Sequence, residues 1–230
     1  MSTLEVNSID KESGSTLTLG GSGTQVTLHA SATSSGFDSG LASVQVFTSS
    51  GTWTKPATGI TKVVVEVQGA GGSGGVINGS YAGPGAAGGY AKKFINVSSI
   101  SSSTVTIGSG GTGVTSGSGN NGGASSWSDG TNTISCGGGG GGDGTTTYLS
   151  QPGGAATGGD INIPGQDSDY IRGSGAASVL GHGGPDSSAS SSFTGGSSPN
   201  ARGYGAGGSP SYTATSGNGG DGIVIVWEYK

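Results

Sequence analysis

Between residues 63 and 75 the chain reads VVVEVQGAGGSGG, a β-like run that empties into glycines. Two spacings with chemical meaning overlap there. Gly69 to Gly74 carries G-x-G-x-x-G, with which a strand–turn–helix unit cradles a pyrophosphate on bare backbone amides. Gly71 to Gly75 carries G-x-S-x-G, which would lift Ser73 as a nucleophile on a strained strand-to-helix turn. Both readings need a helix to open at the loop, and the following GVINGSYAGPGAAGG cannot be helical. The dinucleotide reading also needs an acid about 20 residues on, yet no Asp or Glu lies between Glu66 and Asp129. A base for Ser73 is scarce, since His29 and His182 are the only histidines. The stretch is therefore read as the place where a strand hands over to packed glycine backbone.

Other candidates for chemistry are thin. GGDG occurs at 141–144 and 219–222, but calcium-binding nonapeptide arrays repeat in tandem with a fixed period. Isolated copies read better as tight turns or lattice ends. The single cysteine, Cys136, excludes an internal disulfide framework and a multi-cysteine zinc site and reads as a small apolar residue. No cofactor, metal site or enzymatic activity is expected.

Glycine makes up 54 of the 230 residues, about three times its usual share of roughly 7%. Thirteen acids against eight bases leave a formal charge of −5, so there is no cationic field to attract nucleic acid. The opening MSTLEVNSIDKESGSTLTLGG lacks the basic start and apolar core of a secretory signal. No apolar run approaches the roughly 18 residues that would span a bilayer. The expectation is a soluble protein made in the cytosol.

The elements that must position any functional residue are strands. Residues 1–36 contain short alternating runs around Leu4, Val6 and Ile9, then Leu17, Leu19, Val26 and Leu28. So thin a segment cannot bury both faces alone, so it is read as an anchoring and oligomerising β stem, with 37–42 as a linker. From 43 to 230 a second unit begins with Val44 and Val46, turns at SSGTW and KPATG, and continues with Val63, Val65 and Val67 on one face. GGYAKKFINV, STVTIG and TNTISC add strands, with Phe94, Val105 and Ile107 as expected core residues. IVIVWEY near the C-terminus is the strongest strand, with Ile223, Ile225 and Trp227 sharing a face.

From 137 to 222 that periodicity vanishes, and 27 of the 86 residues are glycine. An unstructured loop of that length is improbable inside a domain. Gly/Pro-rich chain favours the extended helix of three residues per turn, which makes no internal hydrogen bonds. Its amides need partners, and segments without side chains can lie together and supply them. The rods would be CGGGGGGDG, QPGGAATGGD, GHGGPD and GYGAGGSP, and the intervening segments their turns. The expected fold is all-β: a small antiparallel β-sandwich with an inserted, polyglycine-II-like lobe at about 137–222, preceded by the β stem. In or beside the turns stand Tyr148, Tyr170, Phe193, Tyr204 and Tyr212, with Arg172, His182 and Arg202 nearby. Such aromatics among Ser, Gly and Asn suit adaptable recognition, and equally suit capping of the lattice.

VFTSSGTWTKPATGITKVVVEVQGAGGSGG, then GGYAKKFINV, and finally GNGGDGIVIVWEYK together resemble the glycine-rich domain of tailed-bacteriophage fibre and tail-tip proteins over residues 43–230. Trp53, Thr54, Pro56, Gly220, Ile223 and Tyr229 stand at the matching positions. The N-terminal STLEVNSIDKESGSTLTLGGSGTQVTL is similar to the strand-and-glycine stems that open many phage fibre proteins, especially those of marine phages. The lobe resembles, in composition and not in motif, the polyglycine-helix tips of T-even-like adhesins. The resemblance implies a virion fibre or spike protein, made in the host cytoplasm and trimeric through its stem. Its partners would be other tail or capsid proteins and a bacterial outer-membrane protein or polysaccharide receptor; a likeness of composition carries no receptor residues over, so the eight residues named above stand as candidates on their own chemistry alone. A stem of about 36 residues departs from long fibres and suits a short spike, a mounted tip or a capsid fibre. The alternative is a structural capsid-decorating or tail-assembly fibre without receptor contact. An ice-binding glycine-helix protein is a third reading, disfavoured because no regular three-residue repeat builds a flat face.

Overall fold

The valine alternation at 63–67 and the β-branched run at 223–226 do what their period dictates: they pair side by side and bury one face. The computed structural model describes residues 40–57, 59–147, 149–170, 173–186 and 198–230. The expected stem at 1–36 lies outside them. Strands β1 (Leu41–Phe47), β3 (Lys62–Gln68), β4 (Tyr90–Asn96), β9 (Ile161–Ile163) and β12 (Ile223–Tyr229) form one sheet in the order β1-β12-β3-β4-β9. A second sheet, β2-β5-β6-β7-β8, is built from Gly51–Thr54, Ser102–Thr106, Ser125–Ser128, Thr133–Cys136 and Ala156–Thr157. Every pairing in both sheets is antiparallel. A small hairpin pairs β10 (Gly181–His182) with β11 (Arg202–Gly203). The fold is thus all-β, an antiparallel sandwich. β1 begins at Leu41, inside the segment read as a linker.

The two sheets share one core. Val63, Val65, Val67, Ala91, Ile95, Val97, Val224 and Val226 meet Trp53, Val105, Trp127, Ile134 and Cys136. Trp53 and Trp127 pack at a centroid distance of 6.2 Å. Ile107 is partly buried against this cluster, as expected. Phe94, expected in the core, is instead 54% exposed. Alternation explains it: Ile95 faces inward, so its neighbour must face outward, where Phe94 sits opposite Val64. Glu228, between Val226 and the chain end, also points inward and is fully buried. Its carboxylate accepts hydrogen bonds from Gln45 Nε2 (2.7 Å), Trp53 Nε1 (2.7 Å) and the Ser43 hydroxyl. These donors come from β1 and β2, so this one group ties both sheets together.

At Gln68 the strand ends and the chain becomes a glycine rod. All eight N–H groups from Gly69 to Val76 are bonded to other backbone, and their acceptors cycle with a period of three. Gly69, Gly72 and Gly75 donate to Gly89, Ala86 and Gly83; Ala70, Ser73 and Val76 donate to Gly123, Asn120 and Gly117. Gly71 and Gly74 donate to Gly220 and Gly217. Its carbonyls accept from three further segments: Gly139 and Gly142 bond Ala70 and Ser73, Gly208 and Ser211 bond Gly72 and Gly75, and Gly111 bonds Gly71. One extended three-fold helix is thereby walled by six others, the arrangement that the outward-pointing amides of such a helix require. The packing is not confined to 137–222. Its central rod is Gly69–Val76, and 83–89 and 108–123 stand in the wall.

Candidate recognition surface

The rod decides what the opening motif does. A loop that binds phosphate presents unpaired N–H groups; here every one from Gly69 to Val76 is engaged by another rod. Ser73 is fully buried and its hydroxyl accepts the Asn120 N–H at 2.8 Å, so it is not displayed to a substrate. The absence of side chains at the neighbouring positions is a packing demand. A Cβ on Gly72 would lie 2.1 Å from the Gly140 carbonyl oxygen, well inside van der Waals contact.

Both GGDG stretches also serve the lattice. Asp221 Oδ1 accepts the Gly110 N–H at 2.7 Å, and its carbonyl accepts from Gly205. Asp143 accepts the Leu149 N–H (2.7 Å), the Thr145 N–H (3.0 Å) and the Thr145 hydroxyl (2.7 Å). Burial alone would raise the Asp143 carboxyl, but those hydrogen bonds outweigh it and hold it below its ordinary value. Among the described residues no group of His, Cys, Asp or Glu is placed to hold a metal ion. Cys136 is buried and donates to the Val67 carbonyl oxygen at 3.3 Å. Burial pushes its thiol up to about 12. Tyr90 is likewise raised, first by burial and then by the Glu66 carboxylate beside it.

Because the central rod leaves the sandwich at Gln68, Gly75 and Val76 mark its distal end. The rods emerge there into side-chain-bearing turns. Gly83 accepts from Gly75 and donates to Asp143, Ser211 donates to Gly75, and the Tyr170 backbone lies beside Gly83. Tyr170 and Tyr212, two of the residues picked from sequence, therefore share the distal end. Tyr170 is 61% exposed and Tyr212 is 41% exposed, and Leu149 joins them at 59%. Tyr212 donates its hydroxyl to the Gly79 carbonyl (2.7 Å) and meets the edge of Tyr81 at 5.6 Å between centroids. Tyr81 and Leu149 were not singled out in the sequence, because nothing in the local pattern says that 81 and 212 converge.

The other described candidates are elsewhere. His182 and Arg202 sit directly opposite one another on the β10–β11 hairpin, both exposed. Tyr204 follows immediately, next to Gly205, which is pressed against Gln68. That level belongs to the sandwich end of the rods. The structure thus splits the candidates into a distal aromatic group and a proximal hairpin group. Tyr148, Arg172 and Phe193 lie outside the described residues. Among the described residues no helix is long and apolar enough to cross a membrane.

A strand, turn, valine strand, glycine rods and a closing strand that returns between β1 and β3 define an architecture, and its sequence is matched by a family model. That model, described as a glycine-rich domain, covers residues 45–229, and the chain belongs to this family. No curated protein matches the chain.

Proposed function

We propose that this chain is a phage virion fibre or spike protein, a non-enzymatic adhesin whose distal turns contact a bacterial surface molecule. The observation that carries the reading is the division of labour in the rods. Every N–H of residues 69–76 is bonded to the backbone of a neighbouring rod, while exposed Leu149, Tyr170 and Tyr212 gather at the far end. A scaffold held chiefly by backbone hydrogen bonds leaves the turns free for recognition, the usual place for binding residues. Exposed tyrosines supply large contact area with little loss of rotamer freedom. The resemblance to tailed-phage fibre proteins supplies the setting: a virion-mounted trimer joined through residues 1–36.

Purified protein should bind susceptible bacteria and block phage adsorption, and Tyr170→Ala should weaken that block at least tenfold with no change in melting temperature. Tyr170 is the cleaner site, because the Tyr212 hydroxyl also holds Gly79. Binding to no susceptible strain, together with antibody labelling over the whole capsid, would replace this reading with a head-decorating fibre.

A further inference from the structure

The outer face of the β2-β5-β6-β7-β8 sheet carries no charge and no large apolar group. Its outward positions are Ser or Thr without exception. One cross-strand row runs Thr52, Thr104, Ser128, Thr133, and the next runs from Thr106 to Thr157. The other sheet of the same sandwich is different: its outer face mixes exposed Val44, Val46 and Phe94 with the Glu66–Lys92 ion pair at 3.0 Å. Uniform hydroxyl chemistry is therefore a property of one sheet and not of the chain's surface in general.

A cleft of about 390 Å³ opens on the first row. It is bounded by Thr52, Ser102, Thr104, Ser128 and the Asp129–Gly130 turn, and Ser103 contributes to it. Ser103 points into the core, opposite Trp53, so its hydroxyl is not among those that face the cleft. Ser128 and Thr133 bond each other at 2.8 Å. The hydroxyls of Thr52, Ser102 and Thr104 bond no other described residue. In the turn that joins β6 to β7, next to Ser128, Asp129 is fixed by the Thr131 N–H (2.8 Å), the Asn132 N–H (2.6 Å) and Asn132 Nδ2 (3.0 Å), and a carboxylate has further acceptor sites to offer.

Each hydroxyl both donates and accepts, and neighbouring strands set them about 4.8 Å apart, comparable with the length of one pyranose ring. A neutral sugar polymer presents the same dual chemistry at the same repeat. An anionic polymer would meet Asp129 and a chain of net charge −5 with no cation on the face. An apolar peptide would find nothing to bury against. We infer that this face binds a neutral polysaccharide, seated in the cleft along Thr52, Thr104 and Ser128 and bounded by the Asp129–Gly130 turn. The site is separate from the distal turns and stands whether or not those turns engage a receptor.

The test uses the full chain on an array of neutral oligosaccharides built from glucose, galactose, mannose and N-acetylhexosamines, then affinity electrophoresis through a gel containing the best-bound polysaccharide. Retardation by a neutral polymer is expected. The triple variant Thr52→Val, Thr104→Val, Ser128→Ala should weaken it at least tenfold with an unchanged melting temperature, and Tyr170→Ala should leave it intact. The inference is overturned if no neutral glycan is bound, if only an acidic polysaccharide is retained, or if the triple variant binds as well as the parent. Loss of retention in Tyr170→Ala would also overturn it, by moving the glycan to the distal end. So would thermal hysteresis that the triple variant abolishes, since the face would then order ice.

Discussion

At Gly72 a methyl group would sit 2.1 Å from the Gly140 oxygen, whereas at Gly51 nothing lies within 4 Å. Gly72→Ala must push two rods apart and should cost about 3 kcal/mol, the upper end of what overpacking costs. Gly51→Ala should stay within about 0.5 kcal/mol, as surface changes do. Urea unfolding of the two variants checks the contrast. Glu228→Ala leaves the indole N–H of Trp53 and the amide of Gln45 without their acceptor and should destabilise by about 3 kcal/mol, because a hydrogen-bonded charge is worth more than a neutral bond and its orphaned partners are penalised. Cys136, buried with a raised thiol, should resist alkylation in the folded protein and react only on unfolding. The role of Glu228 was hidden in the sequence. A lone acid in IVIVWEY reads as an exposed strand position, and only the approach of β1 and β2 reveals its three donors.

Among the elements, the strands were legible and the rods were legible in kind but not in extent. Val63, Val65 and Val67 announce a buried face by period alone. Phe94 misled because a large apolar residue was weighed above the alternation that Ile95 and Val97 impose. The strand at Ser125–Ser128 is not legible in the sequence, since SSWS has one apolar residue among serines. The central rod, 69–76, escaped the count of glycines at 137–222 because glycine density marks where rods are common, while the bond pattern decides which one lies innermost. The turn capped by Asp143 makes a pH prediction. Its carboxyl, like that of Asp129, is held below the ordinary value of 3.8 when folded. For Asp129 too, burial pushes upward and the hydrogen bonds from Asn132 and Thr131 prevail. This contribution to stability is complete above pH 3.8 and is lost as pH falls through the lower folded values. Cys136 and Tyr90 act at the other end. The unfolded chain releases their protons first, so stability should decline as pH climbs past 9.0. Thermal melts from pH 3 to pH 11 should trace both limbs.

For the whole molecule, cohesion comes from two sources: the apolar core between the sheets and the amide network of the rods. Amide protons of 69–76, 83–89 and 205–211 should therefore exchange with deuterated solvent as slowly as those of β3 and β12. Exchange at the rate of an unstructured peptide would dissolve the scaffold on which the distal turns depend. The mixture also has a calorimetric signature. Exposing apolar surface raises heat capacity and exposing peptide groups lowers it, so the heat-capacity increment of unfolding should fall below the usual ~12–15 cal/mol/K per residue. Scanning calorimetry measures it directly. The placement of the distal tyrosines follows from chain reversals that composition could suggest but not pair, which is why Tyr212 was identified and its neighbour Tyr81 was not.

The innermost rod has a temporal consequence. Gly71 donates a hydrogen bond to Gly220 and Gly74 to Gly217, so the middle of the assembly is synthesised well before one of the segments that enclose it. Until 217–220 arrives, the Gly71 and Gly74 amides stay hydrated on that side of the rod. Contacts of such sequence separation make for slow maturation, and a chain cut short before Gly217 would lack the final wall of the bundle.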